Sequence, residues 1–259
     1  MKKLLAVVLS AVMVLSMAAC GSKDESDLAY VKGTGKLVVG ITDFAPMDYQ
    51  DANGNWIGFD ADMATAFAES LGLSVEFVEI NWDNKVLELN SKGIDCVWNG
   101  MTLTDEVTST MECSNAYCNN QQIVIVPSDV ADQYQTVDSL SGLKFAVEAG
   151  SAGEDAATDN GLDFTPVTAQ ADALMEVASA TSDAAIIDSL MAAAMVGEGT
   201  GYEQLTYTVG LCDEKYGVGF RKGSELAEEL NKFLSASYAD GSMMAIAEKY
   251  GVQAAIIAQ

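Results

Sequence analysis

A strand–helix alternation that runs for about sixty residues, breaks, and then starts again constrains this chain more than any other feature. Lys36–Ile41 reads as a buried strand, and a helix is expected from about Asp62 to Leu71, with Met63, Ala66, Phe67 and Leu71 at helical spacing and Gly72 as a stop signal. Val75–Ile80 reads as a strand, Val86–Ser91 as a helix and Ile94–Trp98 as a short buried strand. Gln122–Val126 is a further strand, closed by Pro127. The pattern then restarts. Strands are expected at Lys144–Val147, Ala184–Ile187 and Tyr216–Phe220, and helices at Gly150–Thr158, Asp172–Ser179, Ser189–Val196, Glu225–Ser237 and Met243–Tyr250. Two α/β units in succession imply two lobes, with ligands bound beyond strand carboxyl ends and between the lobes.

The N-terminus bears on where such a chain works. Lys2 and Lys3 precede an apolar run, Leu4 to Leu15, broken only by Ser10. That run is shorter than the roughly 20 residues a membrane span needs and suits the apolar region of a secretory signal. Ser16-Met-Ala-Ala-Cys20 resembles a bacterial lipobox, with Met17 where Leu is usual, so Cys20 is the expected lipidation site and first mature residue. The other reading is an ordinary signal peptide with Cys20 incidental. Residues 1–20 are thus expected to be the signal and 21–35 a flexible tether, leaving about 240 residues after Cys20 for the folded part.

With 13 Lys and Arg against 38 Asp and Glu, the net charge of −25 repels phosphate backbones and argues against nucleic-acid partners. The chain contains no histidine, which removes the commonest general base and zinc ligand. No cofactor or metal is implied, and no nucleophile–base pair suggests an enzyme. Cys96, Cys113, Cys118 and Cys212 have no metal-site spacing, and their pairing is not readable from sequence.

Eight motifs then fall in order: Asp43-Phe-Ala-Pro-Met47, Gly58-Phe-Asp-Ala-Asp-Met63, Asn81-Trp-Asp83, Ile94 to Glu106, Leu140-Ser-Gly-Leu143, Val147-Glu-Ala-Gly-Ser151, Ser182 to Asp188 and Tyr216 to Gly223. With them the chain resembles the polar amino-acid branch of the bacterial extracellular solute-binding proteins from about Gly35 to Tyr250. The resemblance implies a two-lobed periplasmic-binding-protein (Venus flytrap) α/β fold. Lobe 1 is expected from 36–118 and 217–259, lobe 2 from 122–212, with hinge strands near Tyr117–Gln121 and Glu214–Gly217. It also implies a monomer that captures an amino acid or amine by lobe closure and passes it to the permease of an ABC importer. A sensor or receptor subunit, a dehydratase-like enzyme on the same fold and a structural lipoprotein with a decayed site are the alternatives.

Carried over residue by residue, the resemblance makes Phe44 and Trp82 the two walls of a ligand slot, a role that aromatic rings suit through hydrophobic contact and attraction for cations; core packing is the plain alternative. Asn99, Gly100 and Thr102 would form a strand-end turn offering oxygens to the ligand. Asp188 would pair the ligand ammonium, cap the helix that follows it, or do both. Ser151 and the N–H groups beside it would form a small anion site. Glu148 would face the ligand, and Asp43 would add a second lobe-1 carboxylate.

One departure bears on the ligand. After Thr102-Leu-Thr-Asp-Glu106 the family carries an arginine that grips the ligand carboxylate; here the residue is Val107. Between Gly93 and Glu214, Lys144 is the only basic residue against 20 acidic ones. Either the carboxylate is held by Ser151, Thr102 and helix N–H groups, or the ligand has no free carboxylate or carries net positive charge and is met by Asp188, Glu148 and Asp43, or Lys215 swings in from the hinge. The acidity favours the cation.

Overall fold

The computed structural model describes residues 26–259; the expected signal, the lipidation site Cys20 and the first part of the tether lie outside them. The strands are β1 (Lys36–Ile41), β2 (Tyr49–Gln50), β3 (Trp56–Ile57), β4 (Ser74–Glu79), β5 (Cys96–Thr102), β6 (Glu112–Cys113), β7 (Cys118–Pro127), β8 (Lys144–Glu148), β9 (Asp163–Val167), β10 (Ala184–Asp188) and β11 (Leu205–Phe220). The α-helices are α1 (Asp27–Thr34), α2 (Phe59–Ser70), α3 (Lys85–Asn90), α4 (Asp105–Thr110), α5 (Ala152–Asp159), α6 (Gln170–Ala178), α7 (Ser189–Met195), α8 (Leu226–Ala239) and α9 (Ser242–Tyr250). Among the described residues, no helix is long and apolar enough to cross a membrane.

The main sheet runs β4-β1-β5-β11-β7-β10-β8-β9. Its two outer thirds are parallel: β4, β1 and β5 in one lobe, and β10, β8 and β9 in the other. Between them β7 and β11 pair antiparallel over most of their length, and β11 also pairs with β5 while β7 pairs with β10. These two strands connect the lobes, with Asn119 opposite Lys215 and Asn120 opposite Glu214 at the crossing.

The apolar residues of the parallel strands form the core. Leu37, Val39 and Ile41 of β1 pack with Met63, Phe67 and Trp98, and Phe145, Val147, Val124 and Ile186 form a separate cluster in the other lobe. In α2 the buried Phe59, Met63, Ala64, Phe67 and Ala68 recur every three or four residues and lie on the sheet side.

Several elements depart from the sequence-based expectation. β5 continues through Asn99 and Gly100 to Thr102 rather than ending in a turn. It does so by bulging: residues 98–100 face Val218 alone on β11. β9 was not expected; it is an edge strand containing Pro166, tolerated because only one side is paired. β11 begins at Leu205, well before Tyr216, because bulges after Tyr207 and Gly210 break its alternation. The four cysteines among the described residues are free thiols.

The expected tether is also shorter than residue 35. Asp27–Thr34 is a helix whose N-cap Ser26 accepts from Ala29 N and whose Val31 is fully buried. Arg221 pins it: its guanidinium reaches Asp27 at 2.6 Å and Asp95 at 2.8 Å, and donates to the Ile94 carbonyl at 2.6 Å. Removing one partner of a buried ion cluster strands the others. Arg221→Met is therefore expected to cost about 3–5 kcal/mol of stability in denaturant unfolding. A loss below about 1 kcal/mol would show that this cluster does not hold α1 in place.

Candidate functional site

Five strand ends converge. The chain leaving β1 carries Phe44, the segment after β4 carries Trp82, the end of β5 carries Gly100 and Thr102, β8 ends at Glu148 before Ser151, and β10 ends at Asp188. Together they line a cavity of about 280 Å³ between the lobes. Eight of the nine expected site residues border it: Phe44, Trp82, Asn99, Gly100, Thr102, Glu148, Ser151 and Asp188.

Asp43 does not. Asp43 is exposed between the buried Thr42 and Phe44. Lys215 is also absent from the lining; it is exposed on the hinge, where its carbonyl accepts from Leu103 N.

Asn99 lies at the cavity, yet its side chain is committed internally. Its Oδ1 accepts from Thr42 N and Oγ1, and its Nδ2 donates to the Thr42 carbonyl and to Asp48 Oδ2 at 2.8 Å. Asp60 Oδ2 accepts from Gly100 N and from the Tyr117 hydroxyl, both at 2.7 Å. Two buried carboxylates thus brace two successive residues of the bulge. Burial pushes Asp60 up to about 7 and raises Asp48, which Asp60 raises further. Neither was expected as a site residue, although Asp60 stands in one of the motifs.

Gly100 sets the depth of the bulge. Its φ is +55°, and a Cβ there would fall 2.5 Å from Phe44 Cε1 and 3.1 Å from Tyr216 Cε2. Phe44 packs edge-on against Tyr216, with ring centroids 6.3 Å apart.

Asp188 does not cap α7 with its side chain. Its carboxylate instead accepts from Gln122 Nε2 at 2.7 Å and from the amides of Asn120 and Gln170. Asn120 and Gln122 donate to Glu214 Oε1 as well, tying the β10 carboxylate to the hinge. Burial raises the pKa of Asp188 well above the usual carboxylate range, and the neighbouring Glu214 raises it further.

Glu148 is buried, and its Oε1 has no hydrogen-bond partner; Gln122 Oε1 is in the same state. Burial pushes Glu148 up to about 8, opposed by the positive charge of Lys85. At the expected anion site, Ser151 Oγ caps α5 by accepting from Glu154 N, which leaves its O–H to donate, and Glu154 Oε2 accepts from Gly150 N at 2.6 Å. Val107 is buried on the cavity wall in an apolar cluster with Trp82 and Met101. The sequence reading passed over Lys85, which is buried in the lining.

Gly100→Ala is expected to weaken ligand binding at least tenfold in calorimetry, because the new methyl displaces Phe44, besides costing about 1–2 kcal/mol in backbone strain. Gly72→Ala is the control: it also has positive φ, but no atom lies within 4 Å of its Cβ position. Equal affinities for the two variants would rule out Gly100 as the residue that sets Phe44.

Residues 37–253 match the family described as bacterial extracellular solute-binding proteins, family 3. The arginine-binding extracellular protein ArtP of Bacillus subtilis is 26% identical, over 96% of this chain and 98% of its own. The L-cystine-binding protein TcyA of the same organism is 30% identical, over 96% and 97%. Among solved structures, an ancestral amino acid-binding protein described as a precursor of cyclohexadienyl dehydratase superposes with a TM-score of 0.79 at 32% identity, over 87% of this chain and 99% of that one. The match spans nearly all the described residues, and the chain belongs to the bacterial extracellular solute-binding proteins, family 3.

Proposed function

We propose that the cleft captures a cationic amino acid or a related amine, and that the closed lobes present it to the permease of an ABC importer. One observation carries this reading: six carboxylates line the cavity (Asp83, Glu106, Glu148, Glu154, Asp155 and Asp188) against one ammonium, Lys85. The unmatched polar atoms in the lining agree, since Glu148 Oε1 and Gln122 Oε1 are both acceptors and call for a ligand rich in N–H groups. Val107 leaves an apolar wall where an anionic ligand would need a cation. Phe44 and Trp82 suit an aliphatic stem or a delocalised cation. Relatives named for binding arginine and L-cystine support an amino-acid ligand.

The ancestral neighbour linked to a dehydratase supports a second reading, an elimination enzyme. Recovery of unchanged ligand after prolonged incubation, measured by mass spectrometry, favours binding; a dehydrated product favours the enzyme. Anchoring to the outer face of the cell membrane through lipidated Cys20 rests on the sequence around that residue. Cys20→Ser is expected to move the protein into the soluble exported fraction, and unchanged membrane retention would refute the anchor.

A thermal-shift panel of amino acids and amines tests the ligand class. A ligand at 100 times its Kd stabilises by about 2.7 kcal/mol. L-arginine, L-lysine or their amines should give the largest shifts and L-glutamate none; a glutamate response would end the cationic reading. Affinity should also depend on pH with a fixed sign. Below about 8 the empty cleft keeps a proton on Glu148, which a cationic ligand must displace. Affinity for the cation therefore rises from pH 5.5 to 8, by at most about tenfold per unit for each proton released, and levels off above. Glu148→Gln should flatten that part of the profile, and a profile unaltered by this variant would exclude Glu148 as the titrating group.

A further inference from the structure

The ammonium of the cavity lacks a counter-charge. Lys85 stands at the start of α3, with its side chain buried and its Nζ 5.2 Å from the centre of the Trp82 ring. The Nζ donates to two carbonyls, Gly150 O at 2.8 Å and Trp82 O at 3.3 Å. Among the described residues no carboxylate forms an ion pair with it. An ammonium has three N–H donors, so one remains uncommitted. A buried charge with neutral partners alone is costly. Burial accordingly lowers the Lys85 pKa, while the fields of Glu148, Glu106, Asp83 and Asp155 oppose that drop and favour the cation.

The other groups that could receive an anion here are neutral: Gly150 N–H is already taken by Glu154, the Ser151 hydroxyl accepts from Glu154 N and has only its own O–H to give, as does Thr102, and Val107 has no charge. We propose that Lys85 determines specificity by binding the carboxylate of the ligand, so that the cleft selects a free amino acid over the corresponding decarboxylated amine. The inference deepens the reading of the cavity as the ligand site and rests on it. A guest with a carboxylate at Lys85 and N–H groups at Glu148, Gln122 and Asp188 matches the charge of each wall. Because Gly150 belongs to the opposite lobe, Lys85 is held in place by the closed arrangement and contributes once the lobes meet.

The test pairs each amino acid with a probe lacking the carboxylate, in calorimetry on the intact exported protein: L-arginine with agmatine, L-lysine with cadaverine, and L-glutamine with glutaminamide. The wild type should prefer the amino acid by roughly 10- to 100-fold, the span of a charge-assisted hydrogen bond. Lys85→Gln should close that gap mainly by weakening the amino acid. Wild-type protein that binds the carboxylate-free probe as tightly as the amino acid overturns the proposal, without any variant having to fold. So does a Lys85→Gln protein that weakens both members of a pair equally, which would make Lys85 a latch between the lobes. If glutamine outbinds arginine and lysine, the cationic reading falls, and the glutamine–glutaminamide gap still decides the role of Lys85. Binding of the amines alone overturns the Lys85 proposal and leaves the cationic reading standing.

Discussion

The antiparallel pairing of β7 with β11 is the constraint on which the rest of this structure depends. Each lobe is a parallel unit with ligand-facing loops at its strand carboxyl ends, and neither encloses anything alone. The two long strands join the units in one sheet and turn those ends toward each other. Phe44, Trp82 and Gly100 then meet Glu148, Ser151 and Asp188 across a single cavity. The hinge also takes part in the site's electrostatics: Asn120 on β7 bridges Asp188 of lobe 2 and Glu214 of β11. A change in lobe angle at that crossing and a change in charge at Asp188 act on the same amide.

Buried carboxylates are expensive, and this cleft concentrates them. Asp48 and Asp60 sit beneath the bulge, Glu148 and Asp188 on the opposite wall, and burial raises the pKa of all four. The two groups are held differently. Asp60 and Asp48 each accept through one oxygen from the residues they brace, keep the other oxygen without a partner, and lie outside the cavity lining. Asp188 is ringed by amides yet borders the cavity, and Glu148 keeps an oxygen without a partner. The first pair braces the bulge from beneath, and the second lies on the cavity wall.

Much of the architecture was legible because it is locally encoded. The parallel strands are continuous apolar runs, and the helices between them carry their apolar residues at helical spacing. Phe44, Trp82, Glu148 and Asp188 were legible as residues of the cavity lining because each follows or ends such a strand. What the sequence hid depends on distant partners. Helix α1 looks like a polar linker until Arg221, 194 positions from Asp27, is placed beside it. The side chain of Asn99 looks free for a ligand until the fold brings Thr42 and Asp48 within reach. Lys85 lies outside the long acidic stretch that drew attention to the missing arginine, and only the meeting of the lobes puts it against Gly150. Asp43, which the motif match set at the ligand, lies exposed outside the lining between the buried Thr42 and Phe44.

Closure and capture are coupled by the same charges. Gly150 meets Asp83 across the cleft so closely that a Cβ on Gly150 would fall 2.8 Å from Asp83 Cα. This contact and the Lys85 bond to the Gly150 carbonyl join residues of opposite lobes. Closing an empty cleft buries Lys85, Glu148 and Asp188 without a close ion-pair partner, so Lys85 stays a costly ammonium while the two carboxyls are driven toward their protonated forms. A guest that supplies the missing charges removes most of that cost. The closed arrangement is then stabilised by the difference in its affinity for the two lobe positions, which is the only way a ligand can shift such an equilibrium. A neutral apolar molecule of the right size would fill the volume between Phe44 and Trp82 and leave those charges unmet. Selectivity here comes from what the lobes cannot tolerate when they shut, as much as from what they hold.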